Sequence, residues 1–255
     1  MAKIYSSGFL IYSIVIMVCV YFPNAKTQSI YHSHEYYYNF EERISKLEDE
    51  LIRLRREIEK PSVGDRCSSN VNCPDNAVCD RGTCVCSGTY LASGKVCHNL
   101  TNLALGKPVF GSSLYQSYKG EREYAVDGRT RVTDFNLLYH SNFELYPWLT
   151  VTLGRLSIVK SITIYNRIKG NGAWLHNVET RVGNSTDWAQ MSTCGTFVGP
   201  GVTGGVHVIE CKKLLYGVFV TLKIVKPNHI TGDPNASGGK NCLVLEEVVI
   251  LGILV

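Results

Sequence analysis

The chain's 255 residues, 45% hydrophobic and 19% charged, can bury a core and allow one or two folded units with accessories. A net charge of +4 is too small for a dedicated nucleic-acid binder, and 23 glycines without an every-third-residue period exclude collagen. Ten cysteines point to disulfides in an oxidising compartment.

The N-terminus begins with a positive charge at Lys3, and the run from Phe9 to Phe22 carries no charge at all. That run suits the apolar core of a secretory signal and is shorter than the ~20 residues that cross a bilayer. Residues 1–27 are therefore expected to be a signal peptide cleaved near Ala25 or Thr27. The alternative is a retained signal anchor, which makes the chain a type II membrane protein. A membrane partner follows only in that case. Both readings place the bulk of the chain outside the cytosol.

Residues 28–40 are polar and tyrosine-rich and read as a spacer. Residues 41–60 hold seven acidic and six basic side chains and neither Gly nor Pro. Ile44, Leu47, Leu51, Leu54 and Ile58 recur at the alternating three- and four-residue spacing of a coiled-coil seam, with Tyr37 and Phe40 upstream. Flanking positions pair Arg43 with Glu48 and Glu50 with Arg55 across a parallel assembly, both pairs opposite in sign. Glu42 with Lys46 and Asp49 with Arg53 add support within one helix. The alternative is a lone amphipathic helix lying on another domain. The run from Arg43 to Glu48 resembles the pattern of trimeric coiled coils, so a parallel homo-trimer is expected.

Pro61 ends the helix. Six cysteines then follow at C-x5-C-x5-C-x4-C-x-C-x10-C from Cys67 to Cys97. So short a stretch cannot fold on its apolar residues alone, so three disulfides are expected, and six cysteines allow fifteen connectivities. A zinc site is the rival, with only His98 nearby. The closing C-x-C and final cysteine resemble an EGF-like module. That resemblance implies the pairs Cys67–Cys79, Cys73–Cys84 and Cys86–Cys97, although x4 is short for the third gap.

Residues 99–255 carry fifteen basic and eleven acidic side chains. Their apolar runs are short, β-branched and punctuated by Gly, Pro and Asn: 149–153, 158–165, 206–209, 216–225 and 243–251. No helical period of ten residues or more is present, so an all-β sandwich or jelly roll is expected. Asn99, Asn184 and Asn235 each open an N-x-S/T acceptor for N-glycosylation.

Asn102-Leu-Ala-Leu-Gly-Lys-Pro108, Ala125-Val-Asp-Gly128, Pro147-Trp148-x-x-Val-x-Leu-Gly154, Val178-Glu-x-Arg-Val-Gly-Asn-Ser185 and the run Leu243 to Gly252 resemble the F-type lectin (fucolectin) family, in order and spacing. The resemblance spans nearly all of residues 100–253. It implies a galactose-binding-like β-jellyroll that binds sugar in loops at one end. The whole chain is thus expected to be mainly β, with an N-terminal coiled-coil helix and a small disulfide module.

The family's sugar motif is a histidine, an arginine after twenty-six intervening residues, an aspartate two on and a basic residue five beyond. His140 and Arg167 match it. Lys169 stands where the aspartate would be, Trp174 where the second base would be, and Gly170-Asn171 where an adjacent cysteine pair would be. Arginine offers a planar fork of donors to neighbouring hydroxyls and histidine a donor or acceptor of fixed geometry. Lys169 and Arg167 together would suit a sulfated or sialylated glycan, and Trp174 can stack on a sugar face. The resemblance also implies a structural calcium. Asp127 and Glu247 would be its carboxylates, with carbonyls of Tyr124, Arg129, Leu137 and Glu246. Cys194 and Cys211 match the family's internal disulfide, whereas Leu138 and Glu246 replace a second one. Cys19 falls in the signal and Cys242 is left over, either an interchain bridge or a buried thiol.

The sequence thus points to a secreted, oligomeric, calcium-associated lectin of innate recognition or cell adhesion, with glycans or glycoproteins as partners and no nucleic acid. The second function class is a protein-binding adhesion subunit whose lectin fold has lost sugar binding, for which residues 169, 170, 171 and 174 argue. An enzyme is not expected, since no G-x-S-x-G elbow, H-E-x-x-H or motif-supported carboxylate pair occurs.

Overall fold

A computed structural model describes residues 30–58, 61–117 and 119–255. The expected signal segment lies outside these residues. Among them, no helix is long and apolar enough to cross a membrane. The chain divides into two units, residues 1–60 and 61–255.

The first unit contributes one helix, Ile30–Ile58. It starts well before residue 41, so the stretch expected to be a spacer is largely helical. The physical reason is plain in hindsight, for residues 30–40 also lack Gly and Pro. Glu42 and Lys46 form an i,i+4 ion pair at 2.8 Å. Along the seam, Phe40, Ile44, Leu47, Leu51 and Leu54 are all exposed in the single chain, Leu47 and Leu51 by 59% and 62%.

The second unit opens with two hairpins, β1 (Ala77–Asp80) with β2 (Thr83–Cys86), and β3 (Tyr90–Ser93) with β4 (Val96–Asn99). Disulfides join Cys67 to Cys79, Cys73 to Cys84 and Cys86 to Cys97, the pairing that the EGF-like resemblance implies. All six cysteines are therefore consumed and no zinc site forms from them. Of the described residues here, only Pro74 and Cys84 are buried, so the disulfides substitute for a core.

The remaining strands are β5 (Thr101–Asn102), β6 (Val109–Gly111), β7 (Tyr139–His140), β8 (Trp148–Tyr165), β9 (Val178–Gly183), β10 (Ser192–Phe197), β11 (Val206–Ile224), β12 (Val244–Leu245) and β13 (Glu247–Leu254). Seven of them form one antiparallel sheet in the order β10-β9-β11-β8-β13-β5, with β6 also on β8. The small β12-β7 pair lies outside it. β8 and β11 run together over almost their whole length, with bulges that let the sheet curve. Alternate residues of both strands meet in one core: Leu149, Val151, Leu153, Ile162 and Ile164 of β8 against Val220, Leu222 and Ile224 of β11. The expected mainly β sandwich is thus found, held across one edge by Cys194–Cys211.

Loops at one end of this sandwich carry the residues of interest. Gly172 shows how tightly they are set, because a Cβ there would sit 2.2 Å from the Thr203 nitrogen. Before it, Gly170 and Asn171 both adopt left-handed backbone, at φ 58° and 50°. Glycine and asparagine tolerate that conformation best, which accounts for this pair in the turn after Arg167.

Candidate functional site

His140 and Arg167 come from distant parts of the chain and converge. His140 ends β7, and Arg167 lies two residues past the end of β8. Trp174 lies between them: its ring centroid is 6.0 Å from that of His140 and 5.1 Å from the Arg167 guanidinium carbon. Phe135 carries the same guanidinium at 4.7 Å. Arg167 Nε donates to the Lys169 carbonyl at 2.8 Å. A turn that would have offered an aspartate side chain instead offers a backbone oxygen, and two aromatic rings hold the cation by cation–π attraction.

His140 is enclosed as firmly. Tyr115 stacks on it at 4.6 Å, Phe143 meets it edge-on at 6.1 Å, and Nδ1 lies 2.6 Å from the Ser141 carbonyl. Burial pushes its pKa down to about 4, with the Arg167 charge adding to the effect against the Ser141 hydrogen bond. The ring is therefore neutral at physiological pH. Cys242 Sγ sits 3.7 Å from Nε2. This cysteine is a buried free thiol, and burial raises its pKa well above the ordinary value. Of its two alternatives, the burial at 2% exposure fits the buried thiol.

Asp233, in the loop before Cys242, completes the arrangement. Burial raises its pKa, but hydrogen bonds from Asn235, Asn228 and the Trp174 indole outweigh that and hold it low. The carboxylate accepts from Asn228 Nδ2 at 2.8 Å and from Asn235 N and Nδ2 at 2.9 and 3.0 Å, which fixes this loop. His140 and Arg167 are only 3% and 4% exposed, whereas Lys169, Gly170 and Asn171 are exposed at the rim. The motif donors therefore lie beneath a partly buried aromatic wall of Phe135, Phe143 and Trp174, which also packs on Leu138, Cys242 and Val244. Sequence reasoning placed His140, Arg167, Lys169 and Trp174 but missed Tyr115, Phe135, Phe143, Asp233 and the position of Cys242. No spacing rule marks these five, because β7, β12 and three loops bring them together.

The acidic residues form a second cluster. Asp127 caps the short 3-10 turn Arg122–Val126, which contains Tyr124. Gly128, at φ +83°, donates its N–H to Glu247 Oε2 at 3.1 Å. Glu246 accepts from the Val132 N–H, so neighbouring carboxylates tie down both ends of the 128–132 loop. Asp127 Oδ1 accepts from Arg129 N at 2.8 Å. Its Oδ2 lies 3.5 Å from Arg129 Nε, an ion-pair distance without a hydrogen bond. Asp127 Oδ2 and Glu247 Oε1 are both buried with no hydrogen-bond partner. Burial, with the Asp127 and Glu246 charges, pushes Glu247 up to about 8 against the hydrogen bonds from Gly128 and Asp127. Two orphaned carboxylate oxygens beside ordered backbone are what an oxygen-ligated cation would satisfy. Leu137 lies in the separate short turn Phe135–Leu137 and is half-buried. Among the described residues, the tight three-residue group of metal-type ligand atoms is Cys67, Cys73 and Cys84, all in disulfides.

With this geometry, residues 99–255 have the β-sandwich of an F-type lectin. The crystal structure of a fucolectin from striped bass (Morone saxatilis) serum is 28% identical to this chain with a TM-score of 0.51, over 61% of this chain and 50% of that one. The chain therefore spans half the length of that lectin. A Streptococcus pneumoniae fucose-binding module is 22% identical with a TM-score of 0.45, over 59% of this chain and 96% of the module. The lectin domain of lectinolysin complexed with Lewis B antigen is 24% identical with a TM-score of 0.45, over 59% and 95%. Residues 52–97 match the family model of the EB module. The cysteine-rich segment is thus similar to an EB module, and the EGF-like resemblance goes no further than its disulfide pairing. No curated protein matches the chain.

Proposed function

We propose that the chain is a secreted carbohydrate-binding protein that displays several copies of its lectin-like domain on a parallel trimeric coiled coil. The observation that carries this reading is the convergence of His140 and Arg167 on Trp174, at 6.0 and 5.1 Å. A neutral imidazole, a guanidinium fork and an indole are the groups that bind a pyranose: two hydrogen-bonding partners and a face for its C–H bonds. The likeness to the striped bass fucolectin supports a fucose-type or related glycan. Exposed Lys169 beside Arg167 extends the choice to anionic glycans. Localisation outside the cytosol is supported by the N-terminal apolar run and the disulfide module. Innate recognition or cell adhesion would be the setting.

The acidic cluster is proposed to hold a structural calcium through Asp127 and Glu247, with carbonyls of Tyr124, Arg129, Leu137 and Glu246. Its orphaned oxygens fit that ion's preference for carboxylate and carbonyl ligands. A calcium there would tie the Asp127 loop to β13 and so hold the end of the sandwich on which β7 lies.

A second reading is favoured by one observation. His140 and Arg167 are 97% and 96% buried by their own aromatic neighbours, as judged from their 3% and 4% exposure. A domain whose donors stay covered would bind proteins through its rim instead. A glycan array probed with the recombinant oligomer separates the two. Binding to defined fucosylated or sulfated glycans, lost in Arg167→Ala, supports the lectin. An array without signal from a folded oligomer supports the protein-binding adhesion subunit.

A further inference from the structure

Away from the His140–Arg167 site, the outer face of the sheet carries a groove of about 270 Å³ lined by Trp148, Thr150, Thr186, Asp187, Trp188, Thr221 and Lys223. The strand register explains it. Thr221 of β11 lies opposite Thr150 of β8 and Arg181 of β9, and Lys223 lies opposite Trp148 and Glu179. The inward neighbours Leu149, Val151 and Leu222 are in the core, so these residues point outward. The hydroxyls of Thr150 and Thr221 bond to each other at 2.7 Å and close the floor. The turn after β9 forms the wall. Within it Asp187 accepts from Ala189 N and Gln190 Nε2 at 3.0 Å each, and Arg181 donates to the Trp188 carbonyl at 2.9 Å. Arg181 and Lys223 also sit on the Trp188 ring at 4.3 and 5.3 Å, which fixes that indole in place. Trp148, edge-on to Phe110, remains as the flat apolar surface.

That wall begins with a glycosylation acceptor. Asn184, Ser185 and Thr186 read N-S-T, Asn184 is exposed, and Thr186 is itself a lining residue. Two residues span at most about 7 Å of chain, so a sugar on Asn184 starts at the groove's edge. The volume lies just below the ~300–1,000 Å³ of ligand pockets, which suits one ring and not an oligosaccharide. Its chemistry suits N-acetylglucosamine: Trp148 for the ring's C–H face, and Thr186, Asp187 and Lys223 for hydroxyls and the acetamide.

We propose that Asn184 carries an N-linked glycan whose first N-acetylglucosamine seats in this groove and is part of the domain's packing. The inference rests on the secretory reading, because the sugar donor is a lipid-pyrophosphate-linked oligosaccharide of the secretory lumen. In the transfer, Asn184 Nδ2 forms a bond to sugar C1 as the C1–O bond to pyrophosphate breaks. The pyrophosphate leaves on its lipid, and the amide gives up one proton. The seated sugar covers Trp148 and the three polar side chains Thr186, Asp187 and Lys223 at the rim of the groove.

The test uses the full chain secreted from animal cells. Glycopeptide mass spectrometry reads occupancy at Asn184, with Asn99 and Asn235 as internal references. Asn184→Gln then supplies the unglycosylated form without the charge that enzymatic removal introduces. We expect Asn184 to be occupied, and Asn184→Gln to melt about 2–4 °C lower with a changed tryptophan emission. In a Trp148→Leu background the same substitution should shift Tm by less than half as much. Glycan at Asn99 or Asn235 with none at Asn184 overturns the inference and leaves the secretory reading intact. Occupancy at Asn184 with unchanged Tm and emission overturns the seating, for that glycan stands in solvent. An absence of glycan at all three positions overturns the inference together with the secretory reading.

Discussion

Removing divalent cations should make the stability of residues 61–255 depend on pH through Glu247. Its folded-state pKa, about 8, lies above the ordinary 4.5 because burial and two neighbouring carboxylates disfavour the charge. The folded state therefore holds this proton more tightly than the unfolded chain does. Below pH 4.5 both states are protonated and the group has no effect. As pH rises from 4.5 through 8, the unfolded chain ionises freely while the folded one resists, so stability falls. At about 1.4 kcal/mol per pH unit the full difference is a few kcal/mol. Solvent screening of the neighbouring Asp127 charge, whose side chain is 20% exposed, trims it to roughly 2–3 kcal/mol. A domain of this length should then lose about 5–10 °C of Tm between pH 5 and 8 in EDTA. With calcium added, the same oxygens act as ligands instead of proton acceptors, and the loss should vanish. At a hundredfold excess over Kd the ion adds about 2.7 kcal/mol. Glu247→Gln should remove both the pH dependence and the calcium response. The measurement is a melting curve across pH in EDTA and in calcium. Curves that coincide at every pH would refute the acidic cluster as a cation site.

Other perturbations follow from the same geometry. Replacing Leu47 and Leu51 with serine should leave the chain monomeric by light scattering under reducing conditions, because it removes two of five seam residues from a helix with little margin. An oligomer that persists in this variant would refute the proposed coiled-coil seam. Arg167→Ala should abolish glycan binding in surface plasmon resonance, since a charged hydrogen bond contributes roughly 1.5–3 kcal/mol and a weak monovalent site cannot lose it, although avidity hides part of the loss. Lys169→Asp should shift preference from anionic to neutral glycans, because it removes a positive charge and sets an acceptor beside Arg167. Glycan affinity should stay flat from pH 5 to 8, because His140 titrates only near 4. Opposite in sign to Glu247, the stability that a buried neutral His140 contributes is present above about pH 6.5 and is lost as pH falls toward 4.

Much of the fold was legible because its signals are local. Alternation in 149–153 and 158–165 gave the strands of β8, and turn residues gave their ends. The sequence did not show that β8 is one continuous partner for β11, which needs the bulges near Gly154 and Gly217. In the helix, the seam from Ile44 to Ile58 was clear, but Ile30 to Asn39 has no comparable stripe and its tyrosines hid the absence of breakers. In the site, His140, Arg167, Lys169 and Trp174 were read from the F-type lectin motif that the sequence resembles, two as matches and two as departures. The rings that enclose them belong to segments 115, 135 and 143, and no periodicity links those numbers.

The exchange of aspartate for Lys169 shows why motif departures must be read in three dimensions. A lysine beside Arg167 should repel it and leave it without an orienting acceptor. Instead the Lys169 side chain stands exposed, its carbonyl takes the Nε hydrogen, and Phe135 and Trp174 hold the cation from the two rings. Such an arrangement holds Arg167 through contacts that strengthen on desolvation. It also puts rings over the donors, so a sugar must displace or stack on Trp174 before it reaches Arg167. Selectivity would then rest on how a glycan's apolar face meets that indole, with the rim lysine choosing by charge.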